Sequence, residues 1–199
     1  MAKVDELKDF HPLTRKAWRD WLIKNYDKSS GVWFVYFKKH TGKPRVSYDE
    51  AVEDAICFGW IDSLARTIDE DRAKLLFTPR KAKSVWSQPN KERVAKLTSN
   101  GAMMEIGLAK IEAAKKDGSW DALNASDNLE IPDELAKTFR RNRPAQKNFD
   151  GFTPSVKKAI LYWLNSAKRP ETRAARIEKI VMMAANNKRA NFDKEKNYE

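Results

Sequence analysis

The sequence predicts an α+β protein, with a small β-sheet or hairpin among helices in its N-terminal part and an all-helical C-terminal part. Three observations carry that expectation. Strand-like runs rich in β-branched and aromatic residues, 32–37, 60–68 and 72–78, are confined to the first eighty residues. Beyond them, apolar residues recur at helical spacing behind recognisable caps. Between these regimes, Asp121-Ala122-Leu123-Asn124-Ala125-Ser126-Asp127-Asn128-Leu129-Glu130-Ile131-Pro132 has turn formers and no sustained period. The expected organisation is a mixed α+β domain at 1–120, a linker at 121–132, a helical region at 133–190 and a frayed tail at 191–199.

Taken in order, Thr14 can cap a first helix over 13–26, with Ala17, Trp18, Trp21 and Leu22 on its inner face. Val32-Trp33-Phe34-Val35-Tyr36-Phe37 is too apolar for a sheet edge and reads as a buried strand. Ser47-Tyr48-Asp49-Glu50 fits a capping box for a helix running to about Phe58, with Gly59 as its stop. Asp69-Glu70-Asp71 connects the next two strands as a hairpin, which Pro79 ends. Pairing Ile68 with Arg72 places Asp62, Arg66, Lys74 and Thr78 on one face, and a slip of one residue would reverse that. Helices are expected at 91–100, stopped by Gly101, and at 104–116, before Gly118. Others follow near 133–141, near 144–150, from Thr153-Pro154 to about Ala167, and from Pro170, with Ile177, Ile180, Val181 and Ala184 as the last stripe.

Across 199 residues, 41% hydrophobic content suffices for a sizeable core. The longest apolar run, Ala159-Ile160-Leu161-Tyr162-Trp163-Leu164, is far short of the roughly 20 residues that cross a bilayer. Acids at Asp5 and Glu6 stand where a secretory signal needs an apolar core, and one cysteine excludes an internal disulfide, so a cytoplasmic protein is expected. The net charge of +11 is unevenly spread. Residues 1–71 hold 12 basic against 13 acidic residues, 72–96 hold 8 against 1, 97–139 hold 4 against 8, and 140–199 hold 15 against 6. Two basic segments favour anionic partners, with simple solubility as the competing reading.

Gly31-Val32-Trp33, Cys57-Phe58-Gly59-Trp60-Ile61-Asp62, Phe77-Thr78-Pro79-Arg80-Lys81 with Ser84, Trp86 and Ser87, and Ala167-Lys168-Arg169-Pro170-Glu171-Thr172-Arg173 together resemble the YdeI/OmpD-associated, or bacteriocin-protection, family over nearly the whole chain. The resemblance implies a mixed N-terminal part and a helical, OmdA-like C-terminal part, with a name that suggests protection against bacteriocins or association with an outer-membrane porin, and no established activity; a role in stress or bacteriocin tolerance is the expectation that follows. Family members often carry a Tyr shortly after the Arg that opens the second hairpin strand, whereas Arg72 is followed here by Ala73 and Lys74.

The candidate ligand-binding residues are Trp60, Asp62, Arg66, Arg80, Lys81, Ser84 and Trp86, with a second basic patch at Lys168, Arg169, Arg173 and Arg176. Trp86 in a basic loop can stack on a ring or pair with Arg80, or it can pin the loop to the core. Asp62 is either a site acid or half of an ordinary ion pair. Cys57 lies on the inner face of its helix and reads as a buried thiol. His11 and His40 lack the partners for a zinc site, and no phosphate loop, dinucleotide fingerprint or nucleophile elbow is present. No catalytic residue, metal or cofactor is assigned. The reading is a binding or interaction module for an anionic ligand, nucleic acid or acidic protein; the alternative is a small metal-independent enzyme with Asp62 as acid or base and Arg66 and Arg80 holding its substrate.

Overall fold

In the computed structural model, which describes residues 4–193, the chain forms two compact units that divide between Asp121 and Ala122. The N-terminal unit contains β1 (Asp9–Phe10), α1 (Arg15–Asn25), β2 (Val32–Phe37), α2 (Tyr48–Cys57), β3 (Trp60–Thr67), β4 (Arg72–Pro79), α3 (Gln88–Ser99) and α4 (Glu105–Asp117). The C-terminal unit contains α5 (Asn124–Asp127), α6 (Asp133–Arg141), α7 (Arg143–Asp150), α8 (Pro154–Asn165) and α9 (Pro170–Ala185). The α+β class is therefore the observed one. Thr14 accepts from the Ala17 amide, and Ser47 and Glu50 form the reciprocal capping box, so local sequence sets both helix starts.

The sheet runs β1-β2-β4-β3, with β1 parallel to β2 and the other pairs antiparallel. β2 is central, as its apolar run requires. The sequence reading does not contain β1, whose two residues carry no periodicity. Phe34 and Phe77 face Trp18 of α1, at ring separations of 4.9 and 5.2 Å. Buried indoles retain acceptors: Trp18 Nε1 donates to the Ala51 carbonyl at 3.0 Å, and Trp60 Nε1 to the Tyr26 carbonyl at 3.1 Å. On the sheet's other face, Trp33 is covered by Lys74 and Arg66, 4.8 and 4.9 Å from its ring.

The hairpin departs from the expected register in one respect. Near the turn, Arg66 lies opposite Lys74 and Thr67 opposite Ala73, as an Ile68–Arg72 pairing demands. A bulge between Asp62 and Ala65 then shifts the ladder, so Asp62 lies opposite Phe77 instead of Thr78. With a side-chain period of two, that extra residue puts Asp62 on the helix-covered face and leaves Arg66 on the other.

α1, α2 and α3 are also tied by charge. Asp54, 1% exposed, accepts from Arg15 Nε at 3.1 Å and Arg19 Nη1 at 3.0 Å, while Glu53 accepts from Lys96 Nζ at 2.7 Å. α3 begins earlier than expected, with Ser87 at its N-cap position and Pro89 in its first turn.

In the C-terminal unit, Phe139 and Phe149 meet at 5.0 Å and pack with the apolar stripes of α8 and α9. The segment expected as a linker carries the helical turn α5, with Ser126 buried. Of the expected tail, residues 194–199 lie outside the described residues. Arg189 and Asp193 pair just before them, at 2.6 Å, and Ala190 is buried.

Gly107 of α4 lies against the end of α2, where an added Cβ would stand 2.3 Å from the Cys57 carbonyl oxygen. Neither backbone can yield without moving a helix. Gly107→Ala should destabilise the protein by about 2 kcal/mol, the overpacking cost exceeding the gain in helix propensity; urea unfolding measures it, and an unchanged or raised stability would contradict this close approach.

Candidate functional site

The hairpin's open end hands the chain to a basic loop. Pro79 pairs with Trp60 as the last residue of β4, and the Arg80 amide then donates to the Gly59 carbonyl at 2.9 Å. Gly59 itself has φ 71°, the left-handed conformation that ends the turn after α2. Arg80 is only 3% exposed. Its guanidinium carbon lies 3.6 Å from the centre of the Trp86 ring, which is itself buried. Nη1 donates to the Val85 carbonyl at 3.1 Å and to Ser84 Oγ at 3.4 Å. Nε and Nη2, also buried, have no partner.

Arg80 is one of the residues lining a cavity of about 100 Å³, walled by the loop through Arg80, Lys81, Lys83, Ser84 and Trp86 and by α4 and its C-terminal turn through Lys110, Asp117 and Ser119. The two walls are joined by Asp117, which accepts from the Lys83 amide at 3.1 Å and from the Ser119 amide at 2.9 Å. That bond holds Lys83 at φ 61°, a left-handed conformation costing a non-glycine residue about 1 kcal/mol. Trp120 packs on Trp86 at 5.1 Å and secures the loop from beneath.

Burial pushes the Arg80 guanidinium down to about 10, with the charge of Asp62 acting in the opposite direction. The group remains cationic at neutral pH. It contrasts with Arg15 and Arg19, which share the buried Asp54 carboxylate. Among the described residues, no carboxylate comes within ion-pair distance of Arg80.

Of the seven residues expected to converge, Arg80, Lys81, Ser84 and Trp86 border this cavity. Trp60 does not, because it is a core residue that stacks edge-on against Trp21 at 5.7 Å. Asp62 accepts from the Tyr48 hydroxyl at 3.0 Å, and the β3 bulge separates it from Arg66. Arg66 pairs with Asp5 at 2.6 Å across the sheet's other face. Trp86 offers no free face for a base, since Arg80 and Trp120 cover it. Lys110, Asp117 and Ser119 had no signal in the sequence, because they enter through α4, some thirty residues after the loop. Tyr48, which holds Asp62, was likewise read only as a helix start.

The second basic patch is divided. Arg173 pairs with Glu134 at 3.3 Å, and Arg176 donates to the Trp163 carbonyl and to Ser166 Oγ, the latter at 2.9 Å. Both thus serve packing, Arg176 by satisfying the C-terminal end of α8. Lys168 and Arg169 are exposed. Cys57 is fully buried, and burial raises its thiol despite the Arg19 guanidinium nearby. Among the described residues, no group of three or more His, Cys, Asp or Glu side chains is arranged to hold a metal.

Two buried charges can be compared by substitution. Asp54→Ala removes the carboxylate shared by two arginines and should cost about 2–3 kcal/mol, less than a fully buried pair because Arg15 keeps Glu53, Arg19 keeps the Ala102 carbonyl and both retain some solvent. Arg80→Met removes a charge that has no counter-charge and should change stability by less than about 1 kcal/mol in urea unfolding. A loss at Arg80 as large as at Asp54 would make the guanidinium a structural element.

Residues 10–110 match the family model described as Domain of unknown function (DUF8412), and residues 128–187 match the model described as Bacteriocin-protection, YdeI or OmpD-Associated. The resemblance drawn from motifs across the whole chain thus holds for the helical region, whereas the motifs around Trp33, Trp60 and Arg80 fall within the first match. No curated protein and no solved structure matches the chain. No helix among the described residues is long and apolar enough to cross a membrane. The chain belongs to the DUF8412 family, and from residue 128 to 187 it carries a bacteriocin-protection, YdeI or OmpD-associated region.

Proposed function

We propose that the N-terminal unit is a binding module for a small oxyanion, a phosphate or carboxylate group held by Arg80. The observation that carries this reading is the pair of buried, unpartnered donors Nε and Nη2 on a residue that lines a cavity. With Nη1 engaged by the loop, these two nitrogens form the side-on fork of the guanidinium, the edge that meets two oxygens of a carboxylate or phosphate in parallel. Lys81, Lys83 and Lys110 add positive potential, which the Asp117 carboxylate on the same wall partly offsets.

The cavity selects for size. About 100 Å³ is well below the roughly 300 Å³ at which sites for drug-sized ligands begin, so it suits an anionic group rather than a whole nucleotide. Binding is preferred over catalysis with Asp62 as acid or base because Asp62 is bonded to Tyr48 and does not border the cavity.

Adding inorganic phosphate in place of chloride at constant ionic strength should raise the thermal midpoint, by the equivalent of about 2.7 kcal/mol at a hundredfold excess over Kd. The Arg80 Nε–H resonance should shift in the same titration, and Arg80→Gln should abolish the stabilisation. An acetate titration separates carboxylate from phosphate selectivity. If neither anion stabilises the protein beyond chloride, the reading fails.

A further inference from the structure

The helical unit presents a second kind of cationic feature. Residues 135–149 contain five bases and no acid. α6 and α7 are joined by the single residue Asn142, whose side chain accepts from the Ala145 amide at 3.1 Å and so fixes the elbow between them. Leu135 and Phe139 of α6 and Ala145 and Phe149 of α7 are buried. Arg140, Arg141, Arg143 and Lys147 are all exposed. Among the described residues, none of the four is within ion-pair distance of a carboxylate; Arg143 makes one bond, to Gln146 Oε1 at 3.3 Å. Lys137 is set apart from them because Glu134 lies one turn away and feels its charge.

Helix stability accounts for only part of this arrangement. Arg140 and Arg141 sit in the last turn of α6, where the helix dipole favours cations. Arg143 sits in the first turn of α7, where the dipole opposes one. Arg173 and Arg176 show what structural arginines look like in the same unit, each bonded to a carboxylate or to carbonyl and hydroxyl oxygens.

We propose that the α6–α7 elbow is a docking surface for the sugar–phosphate backbone of nucleic acid, contacted without regard to sequence by Arg140, Arg141, Arg143 and Lys147. Three of the four are arginines, whose planar forks meet phosphate oxygens two at a time. An anionic membrane surface fits less well. Leu135, Phe139 and Phe149 are spent in the core, leaving no large apolar side chain of either helix at the elbow to enter a headgroup layer. The proposal is independent of the Arg80 cavity, which lies in the other unit and admits only a small group.

The test uses the full chain and a fluorescent random-sequence DNA duplex. Four phosphate contacts give a slope of log Kobs against log salt of about −3.6, so affinity should fall roughly 10²-fold between about 50 and about 200 mM salt. Replacing all four residues by glutamine (R140Q, R141Q, R143Q and K147Q together) should weaken binding at the lower salt at least about tenfold and reduce the slope by about 3.6. All four positions are exposed, so the variant should keep the parent's thermal midpoint, and Arg80→Gln should bind DNA as the parent does. Absence of duplex binding at the lower salt, an unchanged slope in the fourfold variant, or capture by phosphatidylserine vesicles in place of DNA would overturn the proposal.

Discussion

A guanidinium enclosed by protein with two of its three nitrogens unanswered needs rigid surroundings, because any looseness would let it turn toward solvent. The N-terminal unit can be traced outward from how Arg80 is held. Its amide is anchored to Gly59 at the hairpin's open end, its planar group lies on Trp86, and its outer nitrogen is held by Val85 and Ser84. Trp86 in turn rests on Trp120, and the loop is fastened to the turn beyond α4 through Asp117. Gly107 permits α4 to lie close enough to α2 for this wall to exist. Sheet, loop and helix thus converge on one charge that has no carboxylate within ion-pair distance among the described residues.

The same unit shows how a buried charge is handled when its purpose is cohesion. Asp54 receives two arginines and Glu53 a lysine, so the three helices that supply them are joined by groups answering one another. In the helical unit, Arg173 and Arg176 likewise find oxygens of neighbouring helices. Against that background, Arg80 and the four cations of the α6–α7 elbow stand apart for opposite reasons. Arg80 is buried without a counter-charge, whereas the elbow cations are exposed without one. The first condition suits a small ligand enclosed by the protein, and the second suits a long polyanion lying across its surface.

The β3 bulge explains why the expected site did not assemble in full. Alternation correctly pairs Arg66 with Lys74, because nothing interrupts the ladder near the turn. A single extra residue before Ala65 then reverses the faces, and with them the expected proximity of Asp62 to Arg66. No feature of Asp62-Ser63-Leu64-Ala65 announces a bulge, since it contains no glycine. Trp60 misled for a related reason: an aromatic beside a glycine and an acid has the composition of a site, yet its indole is a core group with a carbonyl acceptor at 3.1 Å.

Local chemistry determined much of this protein from its sequence: the α+β class, the capped starts of α1 and α2, the hairpin with its Asp69-Glu70-Asp71 turn, the change to helices after Pro79, and the concentration of positive charge after residue 72. These depend on interactions within a few residues, which spacing and side-chain type express directly. Tertiary structure alone decided which cations are spent and which remain. Lys110, Asp117 and Ser119 reach the Arg80 loop only because α4 packs back against α2, and Glu134 meets Arg173 only because α6 and α9 share a core. Charge pairing between distant residues follows the path of the whole chain, so the distinction between a structural arginine and one free to bind a ligand is made in three dimensions.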